Sequence, residues 1–179
     1  MAPIMNHTEK RLGLDIGRVL ISPDPFSGSQ GDTSFLRGTI EDALRTPPYE
    51  GMFDAVPALV ERFGGRVWLV SKARPRMQEK TRLWLQRHAF FERTGIAPDH
   101  LRFCFERHEK AGHCRELGLT HFLDDRLDVL DHLEGVVSTR FLFGPQEPGI
   151  IIPTSIVHVP DWNAALEMIQ AMNPVLAAG

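Results

Sequence analysis

Polar residues capable of phosphoryl-transfer chemistry fall at or just after four short apolar runs. They are Asp15, Ser71, Lys110 and the adjacent pair Asp124 and Asp125. Carboxylates bind Mg²⁺, which prefers oxygen ligands, and a hydroxyl and an ammonium can hold phosphoryl oxygens. A carboxylate can also act as a nucleophile and accept a phosphoryl group. If the fold brings these side chains together, they form a candidate site for magnesium-assisted phosphoryl transfer.

Asp15 has the most informative local setting, because apolar residues lie on both sides of it in the stretch 11–21. This pattern predicts a buried strand that ends in a carboxylate. A buried carboxylate is costly unless it is paired or bound to a cation. We therefore interpret Asp15 as a metal-bound nucleophile. A helix cap or a turn is the alternative that this stretch leaves open.

Alternating strand and helix patterns supply the elements that would position these residues. Strands are predicted at 11–15, 66–70, 101–105, 121–123, 136–143 and 156–159. Helices are predicted at 39–44, 48–63, 75–88, 110–117, 126–133 and 164–172. The alternation indicates an α/β, Rossmann-like three-layer sandwich with a mainly parallel central sheet. Because ligands bind at the carboxyl ends of such strands, the polar residues should converge on one edge.

The predicted organisation is one domain at 11–173, preceded by a flexible segment at 1–10. A long insert at about 22–49 is rich in Pro, Gly and Ser. We interpret it as a loop that is functional or mobile, with a disordered surface excursion as the alternative. The other segment between the candidate motifs, roughly 73–100, is filled by core elements, so the sequence leaves no room for a large cap domain.

Composition narrows the classes of function. The chain has 179 residues and a formal net charge of −3, which argues against general nucleic-acid or membrane-surface binding. No apolar run reaches the ~20 residues of a membrane span, and the first ten residues lack a signal-peptide core. We expect a cytoplasmic protein. Cys104 and Cys114 fit no zinc spacing and are interpreted as thiols, with a disulfide as the less favoured alternative.

The candidate residues resemble the four ordered motifs of the haloacid-dehalogenase-like superfamily of phosphohydrolases. Residues 14–20 resemble the first motif, and residues 67–71, an apolar strand ending in Ser, resemble the second. Lys110 suits the third, and residues 122–125 resemble the fourth with its paired acids. The resemblance covers residues 11–125. It implies a member of the superfamily without a cap domain. Such a site is open, so we expect either a large substrate or a second subunit that covers the site, as in a homo-oligomer.

The resemblance implies a set of metal ligands. Asp15 would be the nucleophile and a Mg²⁺ ligand, and the carbonyl of Gly17 would be a second ligand. Asp124 would complete the protein ligands, and Asp125 would assist directly or through water. For Asp125, the N-cap of the following helix is a strong alternative.

The resemblance also implies residues that bind the substrate. Ser71 would hydrogen-bond the transferring phosphoryl group, and Lys110 would stabilise its charge and that of Asp15. A strand-end turn and a solvated helix start are the alternatives for these two residues. Lys72 and Arg74 follow Ser71 and, together with Arg76, form a basic rim that could bind a phosphate or nucleotide beyond the reacting group. A solvated helix start is the alternative for this rim.

Gly17 departs from the family pattern. Phosphatases of the superfamily usually carry a second Asp at this position, which serves as general acid and base. Glycine has no proton to give, and loss of a general acid–base typically costs on the order of 10²–10⁴ in rate. Taken as a whole, the resemblance implies a magnesium-dependent phosphatase acting through an aspartyl-phosphate at Asp15 on a phosphorylated small molecule or nucleotide. The alternative is a weak or inactive relative that binds a phosphorylated ligand or a protein partner.

Overall fold

Six short, mostly buried strands form one sheet at the centre of the protein. The computed structural model describes residues 9–23 and 34–172. The strands are β1 (Leu12–Leu14), β2 (Val67–Lys72), β3 (Leu101–Cys104), β4 (His121–Asp124), β5 (Thr139–Phe143) and β6 (Ile156–Val159). Their order is β3-β2-β1-β4-β5-β6, and every neighbouring pair is parallel. The predicted α/β architecture with a parallel sheet is confirmed.

The chain changes direction across the sheet between β1 and β4. It runs outward from β1 through β2 to β3, and then returns to place β4 on the other side of β1. Such a switch point opens a crevice at the carboxyl ends of the two strands. Asp15 follows β1 directly and Asp124 ends β4, so the topology itself brings these two acids to one crevice.

Helices cover both faces of the sheet. They are α1 (Ser34–Arg37), α2 (Ile40–Arg45), α3 (Met52–Arg62), α4 (Pro75–Arg87), α5 (Phe90–Thr94), α6 (Lys110–Leu117), α7 (Leu127–His132) and α8 (Trp162–Met172). One apolar core includes Leu59 of α3, Trp84 of α4 and Ile169 of α8. The other includes Cys114 of α6 and Leu130 of α7. The result is the three-layer arrangement expected from the alternating pattern.

Two glycines show how the sequence sets these elements. Gly118 ends α6 in the left-handed conformation with φ of 63°, a conformation that favours glycine. Gly13 in β1 lies so close to Phe122 that an added Cβ would come within 2.4 Å of its ring. A side chain at position 13 would therefore push β1 away from β4 and separate the two acids.

The predicted boundaries of α6 and β6 are confirmed. The fifth strand begins at Thr139 and not at Val136, because the amides of residues 136 and 137 donate to the carbonyl of Leu133 in the turn after α7. Cys104 and Cys114 are both free thiols. None of the helices in the described part of the chain has the length and apolar character needed to cross a bilayer.

The insert predicted at 22–49 contains more regular structure than a loop. Residues 24–33 lie outside the described residues, and so do residues 1–8 of the predicted flexible segment. The predicted helix at 39–44 is present as α2, and Thr39 and Asp42 form a capping box at its start. The four residues of α1 were not predicted, because one helical turn is too short to show a periodic pattern. Residues 9–23 and 34–172 contain no separate cap domain.

Candidate active site

Asp15 and Asp124 lie side by side at the switch point. The backbone amide of Asp15 donates to the carbonyl of Leu123 at 3.0 Å, which extends the β1–β4 ladder one residue beyond β1. Asp15 is 8% exposed and Asp124 is fully buried. Their buried position removes the water that would otherwise stabilise two neighbouring negative charges.

Lys110 provides the cation between these carboxylates. It is the first residue of α6 and is buried. Its Nζ donates to Asp15 Oδ1 at 2.8 Å and to Asp124 Oδ2 at 2.7 Å. Burial alone would lower the pKa of Lys110, but the two carboxylates outweigh it and raise the pKa above the ordinary lysine value. Lys110 is therefore charged, and the alternative of a solvated helix-start lysine is excluded.

Asp125 completes a cluster of three acids. One carboxylate oxygen from each of Asp15, Asp124 and Asp125 lies within 4.8 Å of the other two. Burial raises the pKa of Asp124 to about 6, against the effect of Lys110. Burial and the neighbouring acids raise the pKa of Asp125 to about 8, and Arg18, 4.0 Å away, offsets this only in part. If all three acids are ionised, the cluster carries more negative charge than Lys110 offsets.

This donor set fits a divalent cation. The three acids offer the hard oxygen ligands that Mg²⁺ prefers, and their raised pKa values show that Lys110 does not neutralise the cluster alone. Asp124 also accepts a hydrogen bond of 3.0 Å from the amide of Arg126, which fixes its second oxygen. The three acids that were predicted as metal ligands therefore lie close together.

Gly17 lies in a tight turn that follows Asp15. The amides of Leu20 and Ile21 both donate to the carbonyl of Ile16, at 2.9 and 3.2 Å. A Cβ built on Gly17 would meet nothing within 4 Å. No neighbouring atom therefore requires glycine here, and the space beside it is open. The use of the Gly17 carbonyl as a metal ligand stays a prediction.

A cavity of about 260 Å³ opens onto the acid cluster. Its lining includes the predicted site residues Asp15, Gly17, Ser71, Lys72, Lys110, Asp124 and Asp125. Ser71 is 7% exposed near the end of β2. Seven of the eight predicted site residues therefore surround one space, and their roles in binding and catalysis stay predictions.

Arg74 is the exception. Its side chain is exposed and does not line the cavity. It occupies the N-cap position of α4, and its side chain pairs with Glu106 at 3.1 Å. The order of residues after Ser71 does not show which of their side chains reach the cavity. The predicted contact of Arg74 with substrate has no support in this geometry.

Other cavity residues were not assigned to the site from the sequence. The basic ones are Arg18, Arg107 and Arg126. The apolar ones include Ile21, Phe35, Leu36 and Met77. Arg126 directly follows the acid pair and Arg107 precedes Lys110 by three residues, but neither spacing differs from that of a solvated arginine. The apolar residues come from α1, α4 and the turn after β1, and only the tertiary structure shows that they share a wall.

Comparison with known proteins identifies the class of fold. No protein-family profile and no curated protein matches the sequence. A haloacid-dehalogenase-like family hydrolase from Xanthomonas campestris aligns over 92% of this chain and 96% of its own, with a TM-score of 0.63 and 13% identity. A protein from Burkholderia xenovorans, described as a haloacid-dehalogenase-like hydrolase, aligns over 94% and 100%, with a TM-score of 0.59 and 13% identity.

These similarities give the fold a name. This protein has six parallel strands with helices on both faces, and it superposes on these structures over nearly its whole length. It therefore has the haloacid-dehalogenase-like fold. The fold that the four ordered motifs predicted is confirmed.

Proposed function

We propose that this protein is a Mg²⁺-dependent phosphohydrolase in which Asp15 is the nucleophile. The observation that carries the proposal is the position of Asp15. Its carboxylate is held by Lys110 at 2.8 Å and belongs to a cluster with Asp124 and Asp125. The same carboxylate lines a cavity that also includes Ser71. An acid, a lysine and a hydroxyl around one space suit the capture of a phosphoryl group.

The metal would be held by the carboxylates of Asp15, Asp124 and Asp125, with the carbonyl of Gly17 as the remaining protein ligand. When bound, Mg²⁺ would offset the negative charge of the acids and of the phosphoryl oxygens. Lys110 would orient the Asp15 carboxylate through its hydrogen bond while also contributing positive charge to the site.

The proposed reaction has two steps. An Asp15 carboxylate oxygen attacks phosphorus, forming an O–P bond while the bond between phosphorus and the ester oxygen breaks. Ser71 donates a hydrogen bond to a phosphoryl oxygen, and the leaving alkoxide takes a proton from water because Gly17 supplies none. Water then attacks the aspartyl-phosphate, which releases inorganic phosphate and restores the Asp15 carboxylate.

The test is turnover of p-nitrophenyl phosphate with Mg²⁺. Asp15→Asn should reduce turnover by at least 10³-fold, because the amide is a poor nucleophile. Asp131→Asn, which changes an exposed acid on α7, is the matched control and should retain full activity. Equal rates for the native protein and Asp15→Asn would refute the hydrolase proposal for this substrate.

The metal assignment needs a readout that does not depend on turnover. Mg²⁺ should raise the midpoint of thermal unfolding of the native protein, because a ligand that binds only the folded state stabilises it. Asp124→Asn should lose most of this rise, whereas Asp131→Asn should keep it. A Mg²⁺ response that is the same in both variants would place the cation elsewhere.

Glycine at position 17 provides no side chain that could act as a general acid or base. This favours a second candidate function, binding of a phosphorylated ligand with little or no turnover. In that case the acid cluster and the cavity would bind the ligand, and the missing acid–base would leave it intact. Calorimetric binding of inorganic phosphate in the presence of Mg²⁺, combined with no release of phosphate from any ester in a broad substrate screen, would support this function over hydrolysis.

A further inference from the structure

Five basic residues line the cavity, and three of them bond to or lie beside an acidic side chain. Lys110 is bonded to Asp15 and Asp124. Arg126 donates two hydrogen bonds of 3.0 Å to Asp128, and Arg18 lies 4.0 Å from Asp125. The other two are Lys72 and Arg107, and the proposed reaction gives neither of them a role.

Within residues 9–23 and 34–172, the side chains of Lys72 and Arg107 form no hydrogen bond and no ion pair within 4.0 Å, although Arg107, after Arg126, contributes to lowering the pKa of Asp128. Both residues are half-buried and both line the cavity. Holding a partly desolvated cation beside a cavity without a partner is unfavourable, and an anion from the ligand would remove this cost.

Both cations belong to one face of the sheet. Val70 packs in the core beneath α6 and α7, and Lys72, two residues later in β2, points to the same face because side chains alternate along a strand. Arg107 lies on the 3₁₀ turn that leads directly into α6. Both side chains therefore line the cavity from the face of the sheet that α6 and α7 cover.

The turn that carries Arg107 is fixed in place. The Glu109 side chain accepts hydrogen bonds from the amides of Phe105 and Glu106, at 2.8 and 2.9 Å. These hydrogen bonds hold the backbone of the loop after β3 in one conformation. The backbone of Arg107 therefore has a defined position at the cavity. An arginine on such a turn, with no hydrogen bond to an acid, is suited to bind a carboxylate or a phosphate through paired hydrogen bonds.

Charge balance indicates that the reacting phosphoryl group is not enough. The three acids of the cluster are balanced by Lys110 and a divalent cation, which together carry three positive charges. The other four basic side chains that line the cavity carry four positive charges, and Asp128, which lies near both Arg126 and Arg107, offsets one of them. A phosphomonoester dianion would balance two of the remaining three, which leaves one positive charge for a second anionic group.

We propose that the substrate is a phosphomonoester with a second anionic group, a phosphate or a carboxylate, which Lys72 and Arg107 bind together. This inference rests on the proposed phosphohydrolase function, because it concerns the same cavity. In this proposal Arg107, and not Arg74, binds the substrate together with Lys72. Simple alkyl or aryl phosphates, which lack a second anion, would then not be the preferred substrates.

The test compares two probes that differ only in the second anion, propane-1,3-diyl bisphosphate and 3-hydroxypropyl phosphate. Binding is measured by calorimetry with Mg²⁺ in the Asp15→Asn background, and phosphate release is measured with the native Asp15. The bisphosphate should bind roughly tenfold to 100-fold more tightly, because hydrogen bonds to charged groups contribute strongly. It should also have the higher kcat/KM.

The double variant Lys72→Gln and Arg107→Gln should reduce this ratio to near one while leaving the affinity for the monophosphate within about threefold. Arg107→Lys should keep part of the preference. Arg87→Gln, an exposed arginine at the end of α4, is the control and should keep all of it. Both mutated side chains are half-buried, so thermal unfolding should confirm that the variants fold.

The outcomes separate this inference from the proposed function. Hydrolysis of both probes with equal affinities, or a loss in the double variant that is equal for both probes, would overturn the inference and leave the phosphohydrolase intact. Tighter binding of the bisphosphate that depends on Lys72 and Arg107, without any phosphate release, would support the inference and overturn the hydrolase. Failure of both probes to bind at millimolar concentration would overturn the inference as well.

Discussion

Lys110 and Asp124 form a hydrogen bond of 2.7 Å between side chains that are only 3% and 0% exposed. The same ammonium also reaches Asp15 at 2.8 Å, so one cation serves two carboxylates. Asp125 adds a third acid whose closest basic partner, Arg18, is 4.0 Å away. Since buried charges are tolerated only when they are compensated, ionising all three acids leaves negative charge that Lys110 and Arg18 do not balance.

Replacing Lys110 by Met should destabilise the metal-free protein by about 3–5 kcal/mol, because removing one partner leaves buried carboxylates uncompensated. The free energy of unfolding is measured in urea with a chelator present. Saturating Mg²⁺ should recover part of the loss. Arg115→Met, an exposed change on the same helix, should stay within about 0.5 kcal/mol of the native protein. A loss from Lys110→Met that matches the control would contradict a charged, buried pairing.

The stability of the metal-free protein should fall as the pH rises from about 4 to about 8. The pKa of Asp124 is raised to about 6 and that of Asp125 to about 8, mainly by burial. Between the ordinary aspartate pKa of 3.8 and these values, the folded state binds more protons than the unfolded state. The slope should approach about −1.4 kcal/mol per pH unit for each titrating group.

Urea unfolding at pH 5, 6, 7 and 8 with a chelator checks this dependence. Asp125→Asn should remove most of the slope between pH 6 and 8, because its amide does not titrate, while Asp131→Asn should keep it. Saturating Mg²⁺ should flatten the profile, since the cation favours the ionised acids. Stability that increases steadily from pH 5 to 8 without metal would show that the acids are ionised in the folded state at lower pH than their burial indicates.

Lys80 should hold the apolar wall of the cavity in place. It is fully buried in α4, and its Nζ donates to the carbonyls of Phe35 at 3.0 Å and Gly38 at 2.7 Å. Phe35 and Leu36 line the cavity on the other side of this contact. Lys80→Met keeps the aliphatic stem but leaves these carbonyls unpaired, so we expect a loss of about 2 kcal/mol in the free energy of unfolding.

A purely structural role for Lys80 would not change catalysis, so kinetics provides the second readout. In Lys80→Met, KM for p-nitrophenyl phosphate should rise several-fold with little change in kcat, and amide hydrogen exchange should accelerate at residues 35–45. Gln86→Met, an exposed change on the same helix, should alter neither. An unchanged KM together with unchanged exchange would mean that the wall does not depend on Lys80.

The sequence was sufficient to predict the centre of the site because strand ends can be recognised locally. Asp15 and Asp124 each follow an apolar run, and the parallel sheet then brings them to the same crevice. Arg107 could not be found in this way. Its place depends on a 3₁₀ turn held by Glu109, and no periodic pattern predicts such a turn. The predicted contact of Arg74 with substrate has no support in the cavity geometry, because the order of residues does not show where a side chain at the start of α4 points.

Gly17→Asp should increase the phosphatase rate. An added Cβ at Gly17 meets nothing within 4 Å, so the backbone can accept a side chain there. The new carboxyl group would lie in the cavity lining two residues after Asp15. If proton transfer to the leaving group limits turnover, a positioned acid should raise kcat for an alkyl phosphate by a factor of about 10² or more.

The control is Gly17→Asn, which has nearly the same shape but cannot donate and recover a proton as a carboxyl group does. An increase seen with Asp and absent with Asn would identify proton transfer as the missing function of this site. The effect should be smaller for p-nitrophenyl phosphate than for an alkyl phosphate, because nitrophenolate leaves readily without a proton. Equal rates for the native protein, Gly17→Asp and Gly17→Asn on the alkyl phosphate would mean that another acid already serves or that protonation does not limit the reaction.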